Sequence, residues 1–228
     1  MLYARFDWLD TTHKVPHTTS KSQALLVLSW QDAFCMKHQR YAECKLIKKG
    51  DKAHLTLHGL WPQPRRNQYC HIERKYILKD KHHQWRALPD LNIERKNFTL
   101  MKSYMPGYRS MLYKHEWIKH GSCYSNNPNT YFHDALTLAK EVDNSAVGKF
   151  FRENQTKTIT LKQVRKTFDN AFGSGAGKHV ELVCRNGIIT ELRIHIGSHG
   201  DALKSLITKG SYARSRCKYG KVVNFYFK

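Results

Sequence analysis

The chain has 228 residues, 40% hydrophobic and 12% aromatic, which is enough to build one domain around a real core and too apolar for a disordered segment. Its longest apolar run, Ala24 to Leu28, falls far short of the roughly 20 residues a membrane span needs, so no spanning helix and no membrane association are expected. Lysine and arginine (39) outnumber aspartate and glutamate (18) for a net charge of +21, spread along the chain, which points to a polyanionic partner, nucleic acid first and an anionic lipid surface second. A basic surface that only aids solubility is the plainer alternative.

In chain order, residues 1–23 are polar and read as an N-terminal arm, and residues 24–228 as one domain. The first residues lack the apolar stretch of a signal peptide, and the chain is read as one whose leader has been removed. Ala24 to Trp30 is a buried strand. Residues 53–58 alternate, Leu55 and Leu57 on one face, Thr56 and His58 on the other, and Pro62 closes that strand. Residues 63–97 are basic and unpatterned, a long loop with short helical pieces. A helix is expected over 110–120. Asn129 is expected to cap another that runs to about Asp143.

Thr160 with Gln163 forms a capping box, followed by Leu161, Val164, Phe168 and Phe172 at helical spacing, with Gly173 as the stop. Val180–Cys184 and Ile188–Ile196 read as a hairpin turning at Asn186-Gly187, with Ile188, Thr190, Leu192, Ile194 and Ile196 on one face. Residues 221–227 are a last strand. The result is an α+β domain, a central, mostly antiparallel sheet flanked by helices.

Six cysteines at 35, 44, 70, 123, 184 and 217 include no C-x-x-C pair, so disulfides in an oxidising compartment are expected, with the pairing left open. Asn97-Phe98-Thr99 and Asn154-Gln155-Thr156 are glycosylation sequons, relevant only in a eukaryotic source.

Two segments carry chemistry: His58-Gly59-Leu60-Trp61-Pro62, and His115-Glu116-Trp117-Ile118-Lys119-His120-Gly121. On a helix, with His115 at zero, Lys119 falls near 40°, Glu116 near 100° and His120 near 140°, while Trp117 and Ile118 point away. Two imidazoles, a carboxylate and an ammonium on one side suit proton transfer beside a developing negative charge. A solvated helix face and a structural histidine are the bland alternatives. The second histidine falls at i+5, which is not the H-E-x-x-H zinc spacing, and no metal or other cofactor is expected.

The two segments resemble the two active-site boxes of the ribonuclease T2 family. Leu28-Ser29-Trp30-Gln31 with Phe34-Cys35 is similar to the strand that opens its domain, the bacterial periplasmic ribonuclease I type above all. The likeness covers residues 24–227. It implies a metal-independent endoribonuclease that cleaves single-stranded RNA through a 2′,3′-cyclic phosphate, a periplasmic or secreted location, no obligate protein partner and a monomer. By the same resemblance His58 is the general acid, His120 the general base and His115 a phosphate ligand. Glu116 and Lys119 stabilise the transition state, and Trp61 stacks on a base, with Tyr69 as a second ring. Gln63 stands where some eukaryotic members carry an acidic base-reading residue, so broad specificity follows. The pairings implied are Cys70–Cys123, Cys184–Cys217 and Cys35–Cys44. An idle relative that only binds RNA, and a secreted toxin sharing the chemistry, are the competing readings.

Overall fold

The computed structural model describes residues 23–226. Most of the expected arm lies outside these residues, and Gln23, its last member, instead opens the first strand, opposite Gly197. In chain order the elements are β1 (Gln23–Trp30), α1 (Gln31–Lys37), α2 (Ala42–Lys45), β2 (Leu55–Pro62), α3 (Arg74–Lys81), α4 (Arg95–Tyr104), α5 (Leu112–Lys119), α6 (Pro128–Asn144) and α7 (Ala146–Glu153). They continue with β3 (Thr158–Thr160), α8 (Leu161–Phe172), β4 (Val180–Arg185), β5 (Ile188–Gly197), α9 (Leu203–Ile207) and β6 (Tyr219–Lys221).

The sheet runs β2–β1–β5–β6–β3, with β4 also paired to β5, and every pairing is antiparallel except the single β5–β6 contact at Ile188 and Lys221. β1 is central, and its Ala24–Leu28 run is buried throughout, as a strand covered on both faces requires. The β4–β5 turn has Asn186 and Gly187 at φ 51° and 74°, the left-handed pair that a two-residue hairpin needs. Helix α6 lays Tyr131, Phe132, Ala135, Leu136, Ala139 and Val142 into the core, where they meet Trp30, Phe151 and Phe168. The Thr160–Gln163 capping box forms, and Leu161, Val164, Phe168 and Phe172 are the buried face of α8.

Several expectations are corrected. Asn127, not Asn129, caps α6, accepting the N–H of Asn129. Helix α7, capped by Ser145, was unread because its eight residues are too few to show a period. The last strand is only Tyr219–Lys221. On β5 it is Ile189, not Ile188, that enters the core beside Leu192, Ile194 and Ile196, because Thr190 is an extra residue of β5 opposite the Val183–Cys184 step and shifts the alternation. Asn97 is fully buried with its amide bonded to Asn129, so the first sequon is a packing site.

All three disulfides form as the resemblance implied: Cys35–Cys44, Cys70–Cys123 and Cys184–Cys217. Among the described residues no helix is long and apolar enough to cross a membrane.

The strand that carries His58 is tied down at its start by one buried carboxylate. Asp143, at the end of α6, accepts the Leu55 N–H (3.0 Å), Arg152 Nη1 (2.8 Å) and His54 Nδ1 (2.8 Å). Burial alone would raise its pKa, but the His54, Leu55 and Arg152 partners outweigh that and lower it. Asp143→Ala leaves Arg152 unpaired and should destabilise the fold by roughly 3–5 kcal/mol in urea titrations. In the parent chain, the Asp143 contribution is complete above the ordinary carboxylate range and disappears as pH falls through its lowered pKa. An equal destabilisation by the substitution at neutral pH and well below that pKa would contradict the assignment.

Candidate active site

His58 occupies a defect in the sheet. Across β1–β2, Val27 faces Gly59 and Leu28 faces Leu57, so His58 is the extra residue of a bulge. A bulge frees a side chain from the pleat and is common beside active sites. Gly59 next to it has a packing reason to be glycine, since a Cβ there would overlap the Glu116 carboxylate.

Helix α5 presents His115, Glu116 and Lys119, with Ile118 buried behind them. His120 has already left the helix, at φ −121°, with its N–H still bonded to the Glu116 carbonyl (3.0 Å), so its position comes from the chain bend and not from helical spacing. The Tyr69 N–H caps the same end by donating to the Lys119 carbonyl (2.9 Å), and Cys70–Cys123 clamps this junction.

His58, Trp61, His115, Glu116, Lys119 and His120 line one cleft of about 190 Å3, with Gln63, Arg65 and Gln68 at its rim. Glu116 lies at the bottom, 1% exposed. Its Oε2 accepts the Trp61 indole N–H (2.9 Å). Its Oε1 accepts no hydrogen bond and lies 3.6 Å from His58 Nε2 and 3.7 Å from His115 Nε2.

The three imidazoles differ in what stands behind them. His58 Nδ1 meets Glu191 of β5 at 3.1 Å. His115 Nδ1 meets Asp80 of α3 at 2.7 Å, and the ring stacks on Trp85 (4.8 Å, 26°). His120 Nδ1 is buried without a partner, and its ring stacks on Trp61 (5.1 Å, 23°). Titration follows this division. Burial would lower the pKa of His58, but the Glu191 hydrogen bond and the Glu116 charge raise it above the ordinary histidine value. His120 is pushed down to about 2, first by burial, then by Lys119, His115 and His58. The two imidazoles are thus shifted in opposite directions within one cleft.

Tyr69, expected as a second stacking ring, is used differently. It does not line the cleft, and its hydroxyl donates to Asp80 Oδ2 (2.9 Å), behind His115. Burial and Asp80 raise its pKa. Trp61 does line the cleft, with one face occupied by His120 and Arg193 over its ring at 5.7 Å.

Comparison with known proteins follows this geometry. The family model described as the Ribonuclease T2 family matches residues 22–208. The chain belongs to the ribonuclease T2 family. It is 29% identical over 211 residues to ribonuclease I of Escherichia coli, covering 82% of this chain and 79% of that one. Against ribonuclease T2-A of Mus musculus it is 31% identical over 157 residues, covering 63% of this chain and 55% of the mouse protein.

Two solved structures share the fold at low identity. Trichomaglin, described as an S-like ribonuclease, superposes with a TM-score of 0.59 at 18% identity, covering 90% of this chain and 98% of that one. The SF11-RNase of Nicotiana alata does so with 0.57 at 20% identity, covering 90% and 99%. As a member of the family, the protein is an endoribonuclease acting on RNA.

Sequence reasoning missed Asp80, Glu191 and Arg193. Each lies on an element remote from the boxes, and only Asp80 left a trace, as an acid inside a basic stretch. Asp80 fixes the His115 ring in the cleft, so losing that bond displaces an imidazole that a bound ligand would meet. Asp80→Asn is therefore expected to raise KM for RNA about tenfold or more with a smaller fall in kcat. Steady-state kinetics showing the reverse split would place His115 in the chemical step.

Proposed function

We propose that this ribonuclease cleaves single-stranded RNA by internal attack, with His120 as base and His58 as acid. The observation that carries the reading is geometric: two imidazoles share one cleft, His58 with a carboxylate at Nδ1 and His120 with Nδ1 buried and unpartnered, and their titration is shifted in opposite directions accordingly. His120 takes the 2′-hydroxyl proton, the 2′-oxygen bonds to phosphorus, the P–O5′ bond breaks, and His58 protonates the departing 5′-oxygen. The product is a 2′,3′-cyclic phosphate. The nucleophile already belongs to the substrate, so holding it in line with phosphorus supplies much of the acceleration, and DNA lacks it.

His115 and Lys119 supply positive charge to the phosphoryl oxygens, and Glu116 aligns the imidazoles around them. Trp61 contributes an aromatic surface for a base, which tolerates all four because each has a π-face. Gln63 in place of an acidic residue supports broad specificity. The three disulfides support an oxidising location, the periplasm or the cell exterior. No obligate protein partner is invoked, and the chain works as a monomer.

Incubation with the four RNA homopolymers in excess EDTA tests this. Cleavage of all four, with cyclic-phosphate ends and no action on DNA, is expected. Complete loss restored by a divalent ion, or cleavage of a single homopolymer, would overturn the mechanism or the broad specificity respectively. His58→Ala and His120→Ala should each lose on the order of 10²–10⁴ in rate.

The profile of kcat/KM against pH should be a wide bell. It rises as His120 loses its proton in acid and falls as His58 deprotonates above the ordinary histidine range. On long RNA, kcat/KM should drop steeply with salt because each neutralised phosphate releases counterions, whereas dinucleotides should respond far less.

A further inference from the structure

His58 and Glu191 lie on β2 and β5, with β1 between them. Strands two apart stand about 9–10 Å from each other, too far for an ordinary side-chain hydrogen bond. Two features close the gap. His58 is the extra residue of the β1–β2 bulge, and Glu191 adjoins the irregularity at Thr190 that shifts the β4–β5 register. Between them β1 places Ser29, which pairs with both Thr56 and Glu191 and lines the same cavity as His58 and Glu191. Its small side chain leaves room for the contact.

Glu191 is also clamped. One carboxylate oxygen faces His58 Nδ1, while the other accepts both Nε (3.0 Å) and Nη2 (2.7 Å) of Arg193. Arg193 Nη1 lies 3.9 Å from Glu181, so the carboxylate is fixed from behind. Glu191 is 17% exposed and outside the hydrophobic core, and it does not line the cleft on the Trp61 side. The fold has no packing need for an acid here.

We propose that Glu191, clamped by Arg193, is a positioning residue for the general acid: it holds the Nδ1–H of His58 and thereby presents Nε2–H to the leaving 5′-oxygen. This rests on the reading of His58 as the acid. The charged and titratable groups around that imidazole are Glu191 and Arg193 on β5, His115, Glu116 and Lys119 on α5, His120 after it, and Arg65 on the loop beyond β2; across the second cavity that His58 lines they are Lys37 of α1, His38, Tyr41, Glu43 of α2 and Arg185 of β4. The Glu191 and Glu116 carboxylates favour the protonated ring, and the Arg193 charge opposes it. Glu191 thus sets the alkaline limit of activity as well as the tautomer.

Glu191→Gln keeps the hydrogen-bonding shape and removes the charge. Its alkaline limb in kcat/KM should move down by about one pH unit or more. Activity near pH 5 should stay within a few-fold of the parent, and KM should hardly change. Arg193→Gln removes an opposing charge and should move the limb upward, the opposite sign. NMR titration of the His58 ring should move with the kinetic limb in both variants.

A uniform loss at every pH, or a shift of the same sign in both variants, would reduce the pair to structural support and overturn the proposal. If the parent chain cuts RNA and His58 titrates unchanged in Glu191→Gln, the role of Glu191 alone fails. If the parent chain cuts no RNA, the ribonuclease reading fails with it, whatever His58 does.

Discussion

A buried carboxylate with one hydrogen bond is an expensive feature, and the site is arranged around one. Glu116 is 1% exposed, Trp61 serves one of its oxygens, and the other has no donor. An uncompensated charge in that position would cost several kcal/mol, so its neighbours are constrained by it. Gly59 can carry no side chain because the carboxylate fills that space. His58 and His115 both turn Nε2 toward the free oxygen. Beneath it, the hydroxyl of Tyr131 accepts the Leu60 N–H, and burial together with the Glu116 charge keeps that phenol protonated. The two sequence boxes are two halves of this one electrostatic arrangement, and neither makes chemical sense alone.

Three identical side chains become three different groups because of what the fold sets behind each. The partner of His58 comes from β5, that of His115 from α3, and His120 receives none. A carboxylate at Nδ1 fixes the tautomer and favours the proton. Burial without a carboxylate removes it. In the proposed reading, acid and base are therefore distinguished by tertiary structure, and the supports for that distinction reach far from the cleft. Tyr69 steadies Asp80 while its own N–H caps α5, and Cys70–Cys123 closes the loop at that point. The bulges that bring His58 and Glu191 together belong to the sheet.

Local signals in the sequence proved to be those whose partners are also local. The Thr160–Gln163 capping box, the Asn186-Gly187 turn and the apolar stripe of α8 each depend on residues within a few positions, and each is present. The box residues His58, His115, Glu116, Lys119 and His120 do share one cleft, although the helical placement of His120 was the wrong geometric reason for the right neighbour. What escaped was long-range. Glu191 looks like one polar residue in an alternating strand until β1 and two bulges join it to His58, 133 positions away. The same register shift exchanged Ile189 for Ile188 in the core. Asp80 sits 35 residues before His115, and its being an acid in a basic stretch does not say which residue it pairs with.

Trp61 shows why charge and base choice separate in this cleft. Its indole N–H is committed to Glu116, one face is stacked by His120, and a guanidinium lies over the ring. A base that reaches Trp61 meets a surface shared with a stacked imidazole and one guanidinium, neither of which distinguishes one π-system from another. Arg193 could have read a base edge, but its Nε and Nη2 are taken by Glu191. Two of the directional donors of Arg193 are thereby committed to the carboxylate behind His58. In the proposed mechanism, recognition draws on the positive field of a +21 chain, on a 2′-hydroxyl within reach of His120, and on Gln63, Arg65 and Gln68 beside the cleft. On that reading the sugar and the backbone carry more of the selectivity than the base does, because the guanidinium nearest Trp61 is committed to the carboxylate behind His58.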